Sequence, residues 1–337
     1  MVRTDYRDRL RADADAGNRI AERLLLLDSL ADRNPDEIGA LLHRCKDPDH
    51  RRYLEAELRC FHGWPGNESW QDLLCQSAAA GHREAQLVVS HYHAWARSSG
   101  HLSIDDAADD CSVEGWCEWS APEWTPVIAA EGLVVERSAE FAPRPVVAYL
   151  RSLLGQQLRP SAVIDPDSGQ AIAHPVRINQ SAQWLPEHLG WVGKLFECRL
   201  AEAGDYPVAH GEVPSLLHYG PGQRYKSHLD CISSKQAASP EGIAQGGQRT
   251  LTILLAMGND DFTGGDTYFP HLKSGVQAAT GELLRFNNTD ENGQPLRSSL
   301  HEGQPVTAGE KWLLSKWVRE RTTPYGREIG LGAIDAD

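Results

Sequence analysis

The sequence predicts an α+β chain in which a helical N-terminal third precedes a jelly roll, a double-stranded β-helix with supporting helices. Three observations carry this. Apolar residues recur at helix spacing within residues 1–97, as in Ile20, Leu24, Leu27 and Leu30. Residues 98–125 then change character, with Ser-Ser-Gly, an acidic cluster (Asp105, Asp106, Asp109, Asp110) and a Trp/Cys-rich stretch, and read as a linker. From residue 126 to about 325, clusters of Pro, Gly and Asp separate short apolar or β-branched runs. Many short strands with turn residues between them form sandwiches or jelly rolls.

The elements follow in order. In the N-terminal third, an Ala-Gly pair at 16–17 precedes Ala21, and another at 80–81 precedes Ala85; each opens an apolar helix. Small residues there let paired helices pack closely. Residues 78–95 (AAAGHREAQLVVSHYHAW) resemble a Sel1-like repeat, and an ordinary helical bundle is the alternative. Beyond the linker, strands are predicted at 126–135, 213–219, 249–257, 282–287 and 311–318, and helices at 145–157 and 190–204.

Composition narrows the function. The chain has 337 residues and a formal net charge of −14. A phosphate backbone or an anionic membrane would be repelled, so nucleic acid and membrane are not expected partners, and a neutral or basic peptide fits better. The N-terminus lacks an apolar signal core and no 18-residue apolar run occurs, which points to a cytoplasmic protein. The seven cysteines are odd in number and irregular in spacing, as expected of reduced thiols, although Cys111 and Cys117 could pair.

Three His-x-acid pairs could seed a metal site. His82 and Glu84 lie in a helical stretch, where residues two apart diverge. His210 and Glu212 fall in a loop without other support. His228 and Asp230 follow LLHYGPGQRYKS, which reads as a strand, a turn and a returning strand; alternate strand residues share a face. A lone pair of this kind arises by chance, and an exposed loop pair is the alternative at this point. Support comes from downstream, where His301 opens HEGQPVTAGEKW and Lys311 begins the apolar strand WLLSKWV. Taken alone, Lys311 reads as a surface lysine; taken with His301 and the upstream pair it reads as buried, where its ammonium needs an anion to pair with. Two imidazoles and a carboxylate are the facial ligand set of non-haem iron(II). Trp312 and Trp317 read as core aromatics of that strand, and Cys231 as a packing residue turned away from a metal.

Taken together, VRINQ (176–180), YGPGQRYKSHLD (219–230), RTLTILLAM (249–257), FTGGDTYFP (262–270), GELLRFNN (281–288) and SLHEGQPVTAGEKWLLSKWV (299–318) resemble the prolyl-4-hydroxylase type of Fe(II)/2-oxoglutarate-dependent dioxygenase. The motif core is 212–320. The resemblance implies Fe(2+) held by His228, Asp230 and His301, with 2-oxoglutarate and O2 as co-substrates and ascorbate as a candidate reductant. It implies a co-substrate grip by Lys311 and Tyr219, and a substrate site lined by Tyr225, Arg249, Glu212 and Arg177. The implied substrate is a peptide or protein prolyl residue, with another residue, a free amino acid or a peptide natural product as the alternative. The helical N-terminal region, absent from the minimal family enzyme, has three open readings: binding a protein partner, forming a dimer or capping the barrel. A catalytically dead binding module is the opposing reading. The sequence departs from the family pattern at Asn179, where serine is frequent, and at Ser227, where proline is common; the first leaves the substrate open.

Overall fold

The computed structural model describes residues 3–32, 34–98, 122–139, 141–161, 163–164, 171–172, 177–232, 243–258 and 260–331. Cys111, Cys117, the acidic cluster and most of the expected linker lie outside them. The chain divides into two compact units, one of Met1–Ser120, Pro186–Leu200 and Tyr325–Asp337, the other of Ala121–Leu185 and Ala201–Pro324. Sequence order alone places 186–200 with the strands. Their grouping with the N-terminal helices follows from packing, because Trp191 meets Tyr53 and Phe61, with ring centroids 5.6 Å apart in each case.

The helical unit begins its helices where the sequence supplies caps. Asn18, Asn34, Asp47 and Ser69 each accept backbone N–H groups of the first turn of Arg19–Ala31, Pro35–Arg44, Pro48–His62 and Trp70–Ala79. The two Ala-Gly pairs are equivalent turns. Gly17 and Gly81 have φ of +90° and +94°, which a side chain would resist, and Ala21 and Ala85 beyond them are buried. Ile20, expected on the apolar face of its helix, is instead exposed, and Leu25, Leu26 and Leu30 fill the core. Buried Glu57 lies between Arg23 and Lys194, 3.1 and 2.9 Å away, so the buried ammonium has its counter-charge.

Among the described residues, the second unit is a jelly roll of two main antiparallel sheets, with two further two-stranded pairs and a supporting helix at Arg144–Gly155. In the larger sheet, Arg249–Ala256 lies between Leu283–Asn287 and Lys311–Arg319, and the latter pairs on its other side with Ser215–Tyr219. The smaller sheet runs Ser274–Val276, Thr267–Phe269, His301–Gly303, Arg224–His228 and Arg177–Ile178. The sheets bury a shared core in which Phe269 of the smaller meets Phe286 of the larger edge-on at 5.3 Å. Among the described residues, no helix is long and apolar enough to cross a membrane.

Candidate metal centre

Strand pairing brings the three expected metal residues together. Arg224–His228 ends at His228, with Asp230 two residues on, and His301 opens a strand that places it directly opposite His228. One nitrogen or oxygen from each of His228, Asp230 and His301 lies within 4.8 Å of the others. The Nε2 atoms of His228 and His301 lie 3.5 and 3.7 Å from the two Asp230 oxygens. Each imidazole uses Nδ1 on the carbonyl two residues before it, His228 on Lys226 at 2.9 Å and His301 on Ser299 at 3.0 Å. This fixes Nδ1–H as the donor and leaves both Nε2 lone pairs converging. Burial pushes His301 down to about 4, so it is neutral and able to ligate at pH 7. Burial would raise the Asp230 carboxyl, but the two imidazoles and the Thr252 hydroxyl outweigh it and hold the group well below the usual range.

A relay behind the carboxylate was not legible in the sequence. Thr252 Oγ1 donates to Asp230 Oδ2 at 2.7 Å and accepts from Asn288 Nδ2 at 2.8 Å, and both residues are buried. Such outer hydrogen bonds orient a ligand before the metal arrives. Thr252→Val is therefore expected to weaken Mn(II) binding roughly 10- to 100-fold while the fold is retained. Calorimetric titration checks this; unchanged affinity would remove the relay from the site.

Lys311 is 6% exposed and sits opposite Tyr219 across its strand pair. Its ammonium donates to the Gly265 carbonyl and lies 5.8 Å from the Tyr219 ring. Gly265, in FTGGDTYFP, has φ +72°, and a Cβ there would press on the Lys311 stem at 3.3 Å. Burial lowers Lys311 to about 8, with Asp266 opposing weakly. The His228, Asp230 and His301 side chains and Lys311 line one cavity of about 380 Å³.

Period-2 alternation puts Lys311, Leu313, Ser315 and Trp317 on the cavity face of their strand. Trp317 is therefore no core aromatic, and counting in twos from Lys311 identifies it. The Arg249 guanidinium lies 3.6 Å over its ring. Arg249 and Glu212 do not face the cavity as equals. Glu212 takes Arg249 in a two-pronged bond of 2.7 and 2.8 Å and Arg319 at 2.9 Å, and it is Arg249 that lines the cavity. Glu212, expected to line the substrate site, instead braces Arg249 from behind. Tyr225 and Arg177 both line the cavity. The Tyr225 ring stacks on His228 at 3.7 Å, and the Arg177 guanidinium covers Tyr225 at 5.0 Å.

The rival pairs serve elsewhere. His82 is not inside a helix but precedes Arg83–Ser98, where its Nδ1 caps Ala85 N–H at 3.2 Å and its Nε2 meets His50 at 2.9 Å. His210 ends a short 3₁₀ turn, while Glu212 is engaged by the two arginines. Cys231 touches the cavity, with its thiol on the Asn288 carbonyl at 3.1 Å and burial pushing it up to about 11.

Known proteins similar to this chain fall in one group. Residues 214–319 match the 2OG-Fe(II) oxygenase superfamily. The chain is 38% identical over 146 residues to a putative prolyl 4-hydroxylase of Acanthamoeba polyphaga mimivirus, covering 42% of this chain and 59% of that protein. It is 31% identical over 190 residues to prolyl 4-hydroxylase 1 of Arabidopsis thaliana, covering 52% of this chain and 65% of that one. The chain thus spans about three fifths of the length of these relatives. A solved viral collagen prolyl hydroxylase from Paramecium Bursaria Chlorella virus-1 aligns with TM-score 0.42 and 20% identity over 55% of this chain and 95% of that one. Over residues 214–319 this chain is similar to the 2OG-Fe(II) oxygenase superfamily, and its similar proteins include prolyl 4-hydroxylases.

Proposed function

We propose that the chain is an Fe(II)- and 2-oxoglutarate-dependent hydroxylase acting on prolyl residues of a peptide or protein. The observation that carries this reading is one cavity holding both a two-histidine, one-carboxylate cluster and a buried lysine that, among the described residues, has no carboxylate at hydrogen-bond distance. His228, Asp230 and His301 suit ferrous iron, since borderline imidazoles and a hard carboxylate converge with both Nε2 lone pairs inward. When bound, the iron would supply the oxidation chemistry that couples O2 and 2-oxoglutarate to C–H hydroxylation, with succinate and CO2 released.

The protein residues have distinct parts in this reading. Lys311 pairs with the distal carboxylate of 2-oxoglutarate, and Tyr219 lies beside the same end. Leu217, Leu254 and Leu313 keep water from the stem of the co-substrate. Asp230 completes the ligand set and leaves no room at its position for a halide, which favours hydroxylation. Tyr225, Trp317, Arg249 and Arg177 form the substrate wall, with Glu212 holding the Arg249 fork in place. Ascorbate is the proposed reductant. The cytoplasm is the proposed compartment, supported by the free thiols of Cys45 and Cys231.

The test is succinate release from wild type and His228→Ala in the presence of proline-containing peptides. Peptide-stimulated release by the wild type alone is the expected result. Stimulation only by a free amino acid would move the substrate to the small-molecule class. No stimulation by any candidate, with metal and co-substrate bound, would favour a binding module.

A further inference from the structure

We infer that the substrate presents a carboxylate to Arg177 at the cavity wall, within a few residues of the group that is modified. This rests on the hydroxylase reading above and adds the substrate's charge to it.

The charges facing the cavity are unevenly matched. Arg177, Arg249 and Lys311 line it, and Asp230 is the carboxylate among its described lining residues. A ferrous ion and the dianion of 2-oxoglutarate cancel, and Asp230 offsets Lys311. Glu212 holds Arg249 in a two-pronged bond and offsets it. Positive charge therefore remains after metal and co-substrate are in place, and Arg177 is where it is least compensated. Arg177 Nε donates to the neutral Asn179 Oδ1 at 3.1 Å, and its guanidinium lies over the Tyr225 ring; among the described residues it has no carboxylate partner. Other arginines of this unit do, as Arg144 with Asp260 and Arg285 with Glu136, both at 2.7 Å. Asn179, a departure from the family pattern, is 5% exposed and takes Arg177 Nε while donating to the Gln180 carbonyl at 2.8 Å. It thereby holds the guanidinium without neutralising it.

The position sets the distance from the reacting centre. Arg177 lies opposite Tyr225, three residues before His228 on the neighbouring strand, roughly 10 Å along it. An extended peptide advances about 3.4 Å per residue, so the anion falls one to three residues from the modified one. The chain's overall acidity does not oppose this. Exposed charges are screened beyond roughly 8 Å at physiological ionic strength, whereas a carboxylate on Arg177 acts at contact distance. The expectation from net charge alone, a neutral or basic peptide, is replaced by the charge of the cavity itself.

The carboxylate could be an acidic side chain or a chain terminus, and the experiment separates the two. Binding is measured by calorimetry without O2, on full-length protein loaded with Mn(II) and 2-oxoglutarate. Proline peptides carry Glu, Gln or Lys at one to three positions on either side, and a second set ends in proline as free acid or amide. We expect one acidic member to bind about tenfold more tightly than its neutral counterpart. Arg177→Gln should abolish that preference, and Arg177→Glu should transfer it to the Lys peptide, which also shows that the variant is folded. Equal binding of acidic and neutral members, a preference surviving in Arg177→Gln, or no binding by any of them would overturn the inference. Because the readout is affinity, it is independent of succinate release: discrimination without hydroxylation would sink the hydroxylase reading and leave this one standing.

Discussion

Asp230→Ala is expected to lower turnover by at least roughly 10³-fold, equivalent to about 4 kcal/mol of lost transition-state stabilisation. The carboxylate is the only anionic member of the cluster, and its two oxygens face different partners: Oδ1 lies nearest His228 and Oδ2 nearest His301 and Thr252. Its removal leaves two neutral imidazoles for a divalent ion and deprives Thr252 Oγ1 of its acceptor. Mn(II) affinity should fall with activity, which separates a lost ligand from a lost proton-transfer group. Full-strength Mn(II) binding by the alanine variant would eliminate Asp230 as a ligand. Asp230→Glu should recover little, because the longer stem displaces the oxygens from the Thr252 hydroxyl.

Lys311→Met should raise the Kd for 2-oxoglutarate about 10²- to 10³-fold, the range for deleting one partner of a buried charge pair. Its effect on the ligand-free fold has the opposite sign. Lys311 is buried with its folded pKa lowered from 10.5 to about 8, so it binds a proton less tightly when folded than when unfolded. The cost of burying the ammonium is fully present below pH 8, shrinks as pH rises from 8 to 10.5, and is gone above that. On the order of 3 kcal/mol is at stake at neutral pH, and the methionine variant should melt at higher temperature there. The same titration predicts a pH dependence for the wild type. Above pH 8 the free protein loses the proton that the co-substrate needs, and the Kd should climb about tenfold per pH unit. A Kd flat from pH 7 to 9.5 would remove Lys311 from the co-substrate site.

The strands and the convergence of the candidate metal residues were legible because both obey local rules. The runs at 249–257, 282–287 and 311–318 are short and apolar between turn residues, and the observed strands are Arg249–Ala256, Leu283–Asn287 and Lys311–Arg319. His228 and Asp230 are two apart at the end of a strand, so their sharing of one face is set by the backbone pleat. Lys311 stood out because an ammonium on an apolar strand needs an anion. The same reasoning, continued in twos along that strand, reaches Trp317; treating the tryptophan by residue type rather than by face assigned it to the core.

What the sequence by itself determined is the set of groups that the proposed chemistry needs: the two imidazoles, the carboxylate, the lysine and the strand periods that present them. Tertiary structure decided how the remaining charges are apportioned. Glu212, Arg249 and Arg319 are far apart along the chain, and nothing local says that one carboxylate serves both guanidiniums while Arg177 is left with a neutral amide. The Asn288–Thr252–Asp230 relay likewise exists only because Leu283–Asn287 pairs beside Arg249–Ala256 in one register. Local periodicity is a property of covalent geometry and can be read from order alone. Which acid meets which base depends on separations of a few ångströms between distant segments, and those are set only when the two sheets close on their common core.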